Sequence, residues 1–575
     1  MAERILSPGV FSRENDLSFL TPAPAEISTA VVGPTVKGPI DIPTVVRSYG
    51  EYKNVFGETF LSGSDYYVHF TAMAAERYFD QGGSSLLVTR VSGESFAPAS
   101  ATVANDTLSN DLFKLETLAE GEIMNNNGGT GANNALTDGT VDNIRWEITS
   151  VNAVLGTFSL VIRRGDDNDK NKVILESFSK LSLDPKSENY INKVIGDQVE
   201  SNSNGVITVT GDYPNRSRYV RAAAIYKMPD YFDNNGVAKT AYSTVLTDLS
   251  AKDGAFSGAT GALFQSSTPA SFYQFAPNAG TDDSQGIDVS VTSTAYANAL
   301  AALANKDQFR FNVLMTPGIN QDVNAALVGS FIDMVEDRGD AIYVADLVGH
   351  GASSVSTVTA EAGYANSSYA AAYWPWVKVY SQGLGKDVWA PASTVMGGVY
   401  AFNDRVGAEW FAPAGLMRGG IPGVTAAERK LSQANRDELY LGKVNPIATF
   451  PGSGIVAYGQ KTLQTKASAL DRVNVRRLLI SLKNFIGDQA NNLVFEQNTI
   501  ATRNKFLSLV NPYLETVVQR QGLYAYRVVM DDTNNSADVI DRNQLVGQIY
   551  IQPTKTAEFI VLDFVVQPTG ASFGA

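Results

Sequence analysis

The sequence contains no cysteine and only two histidines in 575 residues. The first absence excludes disulfides, thiolate zinc sites and cysteine nucleophiles together. The second leaves His69 and His350 as the only imidazoles available for acid/base work near neutral pH. No apolar stretch approaches 18 residues, so no segment reads as a membrane-spanning helix. The opening residues Met1 to Gly9 lack the basic flank and apolar run of a secretory signal. Charged side chains are sparse at 18% and biased, 59 acidic against 45 basic, for a net charge of −14. An acidic surface repels nucleic acid and anionic membrane, and neither is expected as a partner.

What is present is ordinary globular material. Hydrophobic residues make up 44%, enough for large cores, and the length suits two to four domains. Residues 1–28 carry Pro8, Pro22 and Pro24 around Val10-Phe11-Ser12-Arg13, too little apolar content to fold alone, and read as an extended arm. Ala30-Val31-Val32 and Pro43 to Val46 then read as strands. Ser64 and Asp65 are positioned to cap a helix through Tyr67, Phe70, Ala74 and Tyr78, ended by Gly82-Gly83, with a strand from Leu86. From 92 to 290 this rhythm stops. The stretch is rich in Asn, Gly and Asp, with short alternating strands such as Ile144 to Ile148 and Phe158 to Ile162. Helix and strand alternate again over Ala295–Leu303, Phe309–Leu314, Val323–Val335 and Ala341–Leu347. The expected fold class is therefore α+β and multidomain. An α/β core (29–91 and 291–360) is interrupted by a β-rich insertion (92–290, with a candidate division near 205). A further α/β domain follows over 361–555, and residues 556–575 form a second extended arm. In the 361–555 domain, Ser468-x-x-Asp471 is a capping signature ahead of an apolar stripe at Val475, Leu479, Leu482 and Ile486. A second helix through Phe506, Leu509, Tyr513 and Val517 must kink or restart at Pro512. Glu558 to Val566 reads as a strand.

The search for chemistry gives little. His69 lies between Val68 and Phe70 and reads as a packed or surface histidine. Gly349-His350-Gly351 beside Ser353 and Ser354 could sketch a base and nucleophile, but no Gly-x-Ser-x-Gly elbow accompanies it. Gly385-Lys386 and Gly442-Lys443 lack the following Ser or Thr of a phosphate loop. Asp166-Asp167-Asn168-Asp169 suits a polar turn better than a calcium loop, whose glycine and terminal glutamate are misplaced. Asp333, Glu336, Asp337 and Asp340 suit a solvated helix face, and Trp374 and Trp376 suit core anchors. No catalytic, cofactor-binding or metal-binding residue is assigned, no cofactor is expected, and an enzyme is not expected.

Charge is unevenly distributed. Residues 455–530 hold ten basic and four acidic side chains, a surplus of six that leaves −20 for the rest. Arg472, Arg476 and Lys483 fall at i, i+4 and i+11, on one face of a helix. They are candidates for docking an acidic partner, with pairing to acids of the same or adjacent subunits as the equal alternative.

Several strings, in order, resemble the contractile tail sheath family of phages and related injection machines. They are Leu6-Ser7-Pro8-Gly9-Val10, Leu181-Ser182-Leu183-Asp184-Pro185, Val313 to Gly318, Glu336 to Ala341, and Tyr373-Trp374-Pro375-Trp376-Val377. Nearer the end come Gly459 to Leu463, Asn474 to Leu478, Phe495-Glu496-Gln497-Asn498, and Ile551 to Thr554. The resemblance implies a subunit of stacked hexameric rings around an inner tube, contracting to drive that tube through a host envelope for genome ejection. It implies partners: further copies of the chain, the tail tube protein, and baseplate and tail terminator proteins. It places the protein in a virion tail assembled in host cytoplasm. It also implies that the arms, with Val10, Phe11, Ser12, Arg13, Phe559, Val561, Phe564 and Val566, complete sheets of neighbouring subunits. Arg472, Arg476 and Lys483 would then face the tube and the insertion would lie outermost. The sheath of a phage-derived bacterial injection system is the nearest alternative. A secreted surface-layer or adhesin-like protein is the alternative from another class.

Overall fold

The computed structural model describes residues 29–62, 65–92, 95–106, 110–126, 129–261, 289–351 and 354–559. Val10 to Arg13, Val561, Phe564 and Val566 lie outside them.

Eight strands form the central sheet. In chain order they are β1 (Thr29–Gly33), β2 (Thr44–Val46), β3 (Leu86–Arg90), β4 (Val313–Asn320), β5 (Ile342–Asp346), β6 (Ala370–Trp374), β7 (Val444–Phe450) and β8 (Gly454–Ala457). The spatial order is β2-β3-β1-β4-β5-β6-β7-β8. The inner six run parallel, and β2 and β8 close the edges antiparallel. Val31 pairs with both Val88 and Met315, and Val344 with Met315 and Ala371. Parallel strands linked by helices are buried on both faces and read as near-continuous apolar runs. Successive residues accordingly enter opposite cores. Ala30, Val32, Leu314, Tyr343 and Ala372 join one, and Val31, Val88, Met315, Val344 and Tyr373 the other. One face is covered by the helix Val289–Ala304 and by Gln321–Arg338, through Tyr296, Val328, Phe331 and Val335. The opposite face is covered by α1 (Phe70–Asp80) and α2 (Ala392–Val406), through Met73, Tyr78, Met396 and Tyr400. These two helices pack at backbone distance. A Cβ on Gly398 would lie 2.7 Å from the carbonyl oxygen of Arg77.

The insertion is antiparallel. Pro98–Asn105, Asn110–Glu120 and Val220–Ala224 form one sheet, and Ile144–Asn152, Thr157–Arg164, Ile174–Ser182 and Asp253–Ala255 another. Phe113, Leu115, Trp146, Leu160, Leu181, Leu183 and Val220 share its core. Because Val220–Ala224 pairs with Phe113–Thr117, the two sides of residue 205 share one core, and the candidate division there is not seen. The turn at 166–169 is a charge cluster: the buried Arg163 takes Asp167 at 2.7 Å and Glu147 at 2.7 Å. A third core joins α3 (Val473–Asn491), α4 (Ile500–Gln519) and the ribbon of β9 (Leu523–Val529) with β10 (Gln548–Pro553), through Leu478, Leu482, Phe506, Val510, Leu514 and Leu523.

The structure corrects several expectations. Asp65–Val68 is a strand hairpinned onto Thr59–Ser62, so the helix expected from Ser64 begins only at Phe70. The run Tyr66-Tyr67-Val68 is aromatic and β-branched, which favours a strand. Ser468 caps only the short 3-10 turn Ala469–Asp471, and the long helix starts at Val473. The helix Ile500–Gln519 does not restart at Pro512; it runs through it. The expected change of unit at 361 falls within the central sheet, because β6, β7 and β8 extend it in register from β5. The parallel run 370–374 carries three consecutive alanines and no period that ties it to either side.

Candidate assembly interface

The residues weighed for chemistry sit in packing, capping or helix-surface positions. His69 precedes α1 and stacks on Phe60 with ring centroids 4.8 Å apart. His350 packs against Trp376 and Trp389, at 5.6 and 5.1 Å. Ser353 lies outside the described residues, and Ser354 caps the helix Val355–Tyr364 by accepting from the Thr357 amide. Trp374 and Trp376 are buried, and Trp376 donates Nε1–H to the Val348 carbonyl at 2.8 Å. Asp333, Glu336 and Asp337 are exposed on their helix. Among the described residues, no group of three or more potential ligands could hold a metal ion, and no helix is long and apolar enough to cross a membrane.

In open parallel sheets, ligands usually bind beyond the carboxyl ends of the strands. Here the carboxylate ending β5 is sealed. Asp346 accepts from the Ser393 hydroxyl at 2.5 Å and the Ser393 amide at 3.1 Å. Burial pushes its carboxyl up to about 6, and those hydrogen bonds only partly oppose the shift. A carboxyl raised in the folded state contributes stability below its ordinary range, near 3.8, and loses it as pH rises through 6. Two units correspond to roughly 3 kcal/mol at neutral pH. D346N is therefore expected to flatten the rise in unfolding midpoint on going from pH 7 to pH 4.5, measured by urea titration at both values.

The three candidate docking cations do not share an exposed face. Arg476 is 4% exposed, lies 3.9 Å over the Tyr369 ring and donates to the Ser368 hydroxyl. Arg472 precedes α3 and is held by Glu558 and Asp471. Only Lys483 is exposed, donating to the Tyr369 hydroxyl at 3.1 Å. Lys483 lines a groove of about 1030 Å³, where Arg310 pairs with Asp488 and Arg338 with Asp340. Much of the basic surplus at 455–530 is thus matched by acids of the same chain: Arg477 is buried against Asp404 and Arg503 pairs with Asp532. Arg472 stands outside α3 in extended backbone, so the i, i+4 relation to Arg476 does not hold, and α3 is buried nearly all round over Val473–Leu478. A single helix's periodicity carries no sign of that second layer.

The β9–β10 ribbon offers a different surface. Among the described residues it has two strands and no further neighbour on either edge, while Tyr524 and Tyr550 are exposed. Its other face rests on α4 through Leu523, Ile549 and Ile551. Phe495 is fully exposed at a backbone φ of 70°, a conformation rare for a side chain of that size. Just beyond the ribbon, Glu558 is gripped from three sides. Arg472 gives it two hydrogen bonds at 2.7 and 3.0 Å, Tyr440 one at 2.7 Å and Gln460 one at 3.1 Å. Burial opposes its charge, but these donors outweigh burial and hold the carboxyl below its ordinary range. The next residue, Phe559, is 81% exposed. Neither this clasp nor the ribbon's open edges could be read from the sequence: the clasp partners lie 86 to 118 positions apart, and the open edges follow only from how Leu523–Val529 pairs with Gln548–Pro553.

The central sheet is covered on both faces, the carboxylate ending β5 is sealed and the two-stranded ribbon stands open at its edges, and nearly half of the chain is similar to phage tail sheath domains. Residues 290–463 match the phage tail sheath protein central domain and residues 465–567 the phage tail sheath C-terminal domain. The tail sheath protein of Vibrio phage KVP40 is 44% identical over 185 residues, and that of Enterobacteria phage T4 is 42% identical over 185. Each alignment covers 32% of this chain and 28% of the relative, so the chain matches less than a third of those proteins' length. The crystal structure of a sheath tail protein from Listeria innocua has the same fold. Its TM-score is 0.52 at 11% identity, covering 92% of this chain and 96% of that one.

Proposed function

We propose that this chain is the subunit of a contractile tail sheath, polymerising as stacked hexameric rings around an inner tail tube and contracting to drive the tube through a host envelope. The observation that carries the reading is the adjoining pair of sheath-domain matches over 290–567. An open helical polymer needs unlike contacts, a donor segment on one copy and a different acceptor on the next. The β9–β10 ribbon supplies acceptor edges suited to strand addition. The donors are residues 1–28, through Val10, Phe11, Ser12 and Arg13, and the arm 556–575, through Phe559, Val561, Phe564 and Val566. The 361–555 segment faces the tube and residues 92–290 form the outer decoration. The partners are further copies, tail tube protein, baseplate and tail terminator, and the protein resides in a virion tail after assembly in host cytoplasm. Of the three cations assigned to the tube, Lys483 remains as the exposed contact. Contraction draws on improved packing between subunits, with the extended state held behind a kinetic barrier, and uses no nucleotide.

Identity to tail sheath proteins of two phages favours a phage tail over a bacterial injection system. The sheath domains leave the surface-layer alternative without support. Negative-stain microscopy of the purified full chain, with and without tail tube protein, tests the reading. Hollow striated tubules are expected; a monodisperse monomer at every concentration and in the presence of tube would overturn it.

A further inference from the structure

Arg472 was a candidate for contacting a partner, yet the structure commits it to a contact within the chain. Its guanidinium grips Glu558 in fork geometry, the strongest form of Arg–carboxylate contact. The surrounding groups come from widely separated segments. Tyr440 follows from the helix Gln433–Leu441, Gln460 lies beyond β8, and Arg472 precedes α3. Lys461 supports the assembly from below, with its ammonium 4.1 Å from the Tyr440 ring centroid and donating to the Tyr440 carbonyl at 2.7 Å. Gln460 also donates to the Thr556 hydroxyl at 2.5 Å, so two residues of the post-ribbon segment are held. This is far more than a solvated glutamate near a chain end needs. The segment 554–559 forms no strand or helix of its own; Thr554 is tied back to Gln521 and Gly522, and beyond it the contacts of Thr556 and Glu558 hold the chain.

We propose that Glu558 is a clasp that fixes the point from which the chain departs towards a neighbouring copy. The inference rests on the sheath reading above and adds where the donated segment begins. With the clasp closed, the length available for donation is counted from beyond Phe559. The 16 residues 560–575 reach at most about 55 Å when extended, against about 75 Å for the 22 residues that follow β10. The clasp thus sets the separation between donor and acceptor subunits, and passes tension along the donated strand into Arg472 and Tyr440 rather than peeling β10 from β9. It also joins the central and C-terminal sheath domains, since Tyr440 and Gln460 belong to the first and Arg472 and Glu558 to the second.

Lys555 is exposed and lies between β10 and the clasp, giving a direct readout through tryptic cleavage of the unassembled full-length protein. E558A and R472A are each expected to speed cleavage after Lys555 by about tenfold, the loss of one charge-assisted pair. The double variant should be no faster than either single, because both remove one interaction. Y440F should give a smaller increase. Cleavage unchanged in both singles, or multiplied in the double, overturns the clasp. Tubules of E558A are expected to lose a uniform axial repeat under the microscope, and a repeat identical to that of the parent overturns the spacing role. Removing residues 560–575 keeps the two readings apart. Tubules that still form without them refute the donated segment, while the cleavage assay continues to report on the clasp alone.

Discussion

Deleting residues 560–575 is expected to leave the monomer folded and to abolish tubule formation. Pro553 closes β10 and the clasp holds Glu558, so no described core residue is removed. Unfolding midpoints should stay within experimental error of the parent. Assembly should not. A donated strand contributes roughly 0.5–1.5 kcal/mol net per backbone hydrogen bond. About five such bonds would supply several kcal/mol per subunit contact, and each 1.4 kcal/mol is a tenfold change in association constant. The concentration needed for tubules should therefore rise by about a thousandfold or more, beyond what sedimentation or microscopy reaches. The same deletion should act as a chain terminator when mixed with parent protein, because its ribbon can still accept a strand that it cannot return.

The largest effect on folding is expected at Arg477. It is 2% exposed, its two terminal nitrogens meet Asp404 at 2.8 and 2.5 Å, and its guanidinium lies 4.9 Å from the Tyr400 ring. Burial works against its charge, but Asp404 more than compensates and holds the proton above the ordinary arginine range. The contact ties α3 to α2, and so ties the third core to the helix covering the central sheet. Asp404 keeps 22% of its side chain exposed, so removing Arg477 leaves a half-buried carboxylate, at a cost of about 1–3 kcal/mol. R477A should lower the urea midpoint accordingly, and R477M should recover part of the loss only when combined with D404L, which removes the stranded carboxylate. Lys483, exposed on the same helix, should be neutral for stability when changed to Glu. That makes it the clean probe of tube binding. Reversing Arg476 would instead bury a carboxylate against Tyr369, so reversing the three cations together would confound docking with folding.

These contrasts explain what the sequence could and could not convey. Apolar runs such as Ala30-Val31-Val32 and Ile342 to Ala345 announce buried parallel strands, because both faces of the sheet are covered and every residue is apolar. Alternation at Ile144 to Ile148 places Ile144, Trp146 and Ile148 in the insertion core, although the other face is not open to solvent, since Arg145 is buried there. Helix caps were less legible. Ser468 does cap, but only a 3-10 turn, since the chain turns again at Arg472 to reach the clasp. The cation stripe failed because helical spacing reports which residues share a face and not what that face meets. Val475, Leu479, Leu482 and Ile486 suggested one apolar side for α3, whereas α3 packs between the central sheet core, through Val473 and Ile480, and the third core, through Leu478 and Leu482. Of the proposed interface, the arms at 1–28 and 556–575 are readings from composition alone, while the ribbon edge that would receive them depends on pairing between Leu523–Val529 and Gln548–Pro553, which no local pattern announces.

The central claim is that segments of one copy complete the sheet of another. Tubules grown from an equal mixture of isotopically heavy and light protein, cross-linked and read by mass spectrometry, address it directly. Cross-links joining residues 560–575 to 523–529 or 548–553 should appear as heavy–light pairs in half of all cases, as random exchange between copies requires. Finding those links only as heavy–heavy and light–light species would show that each chain serves itself, and would contradict the account.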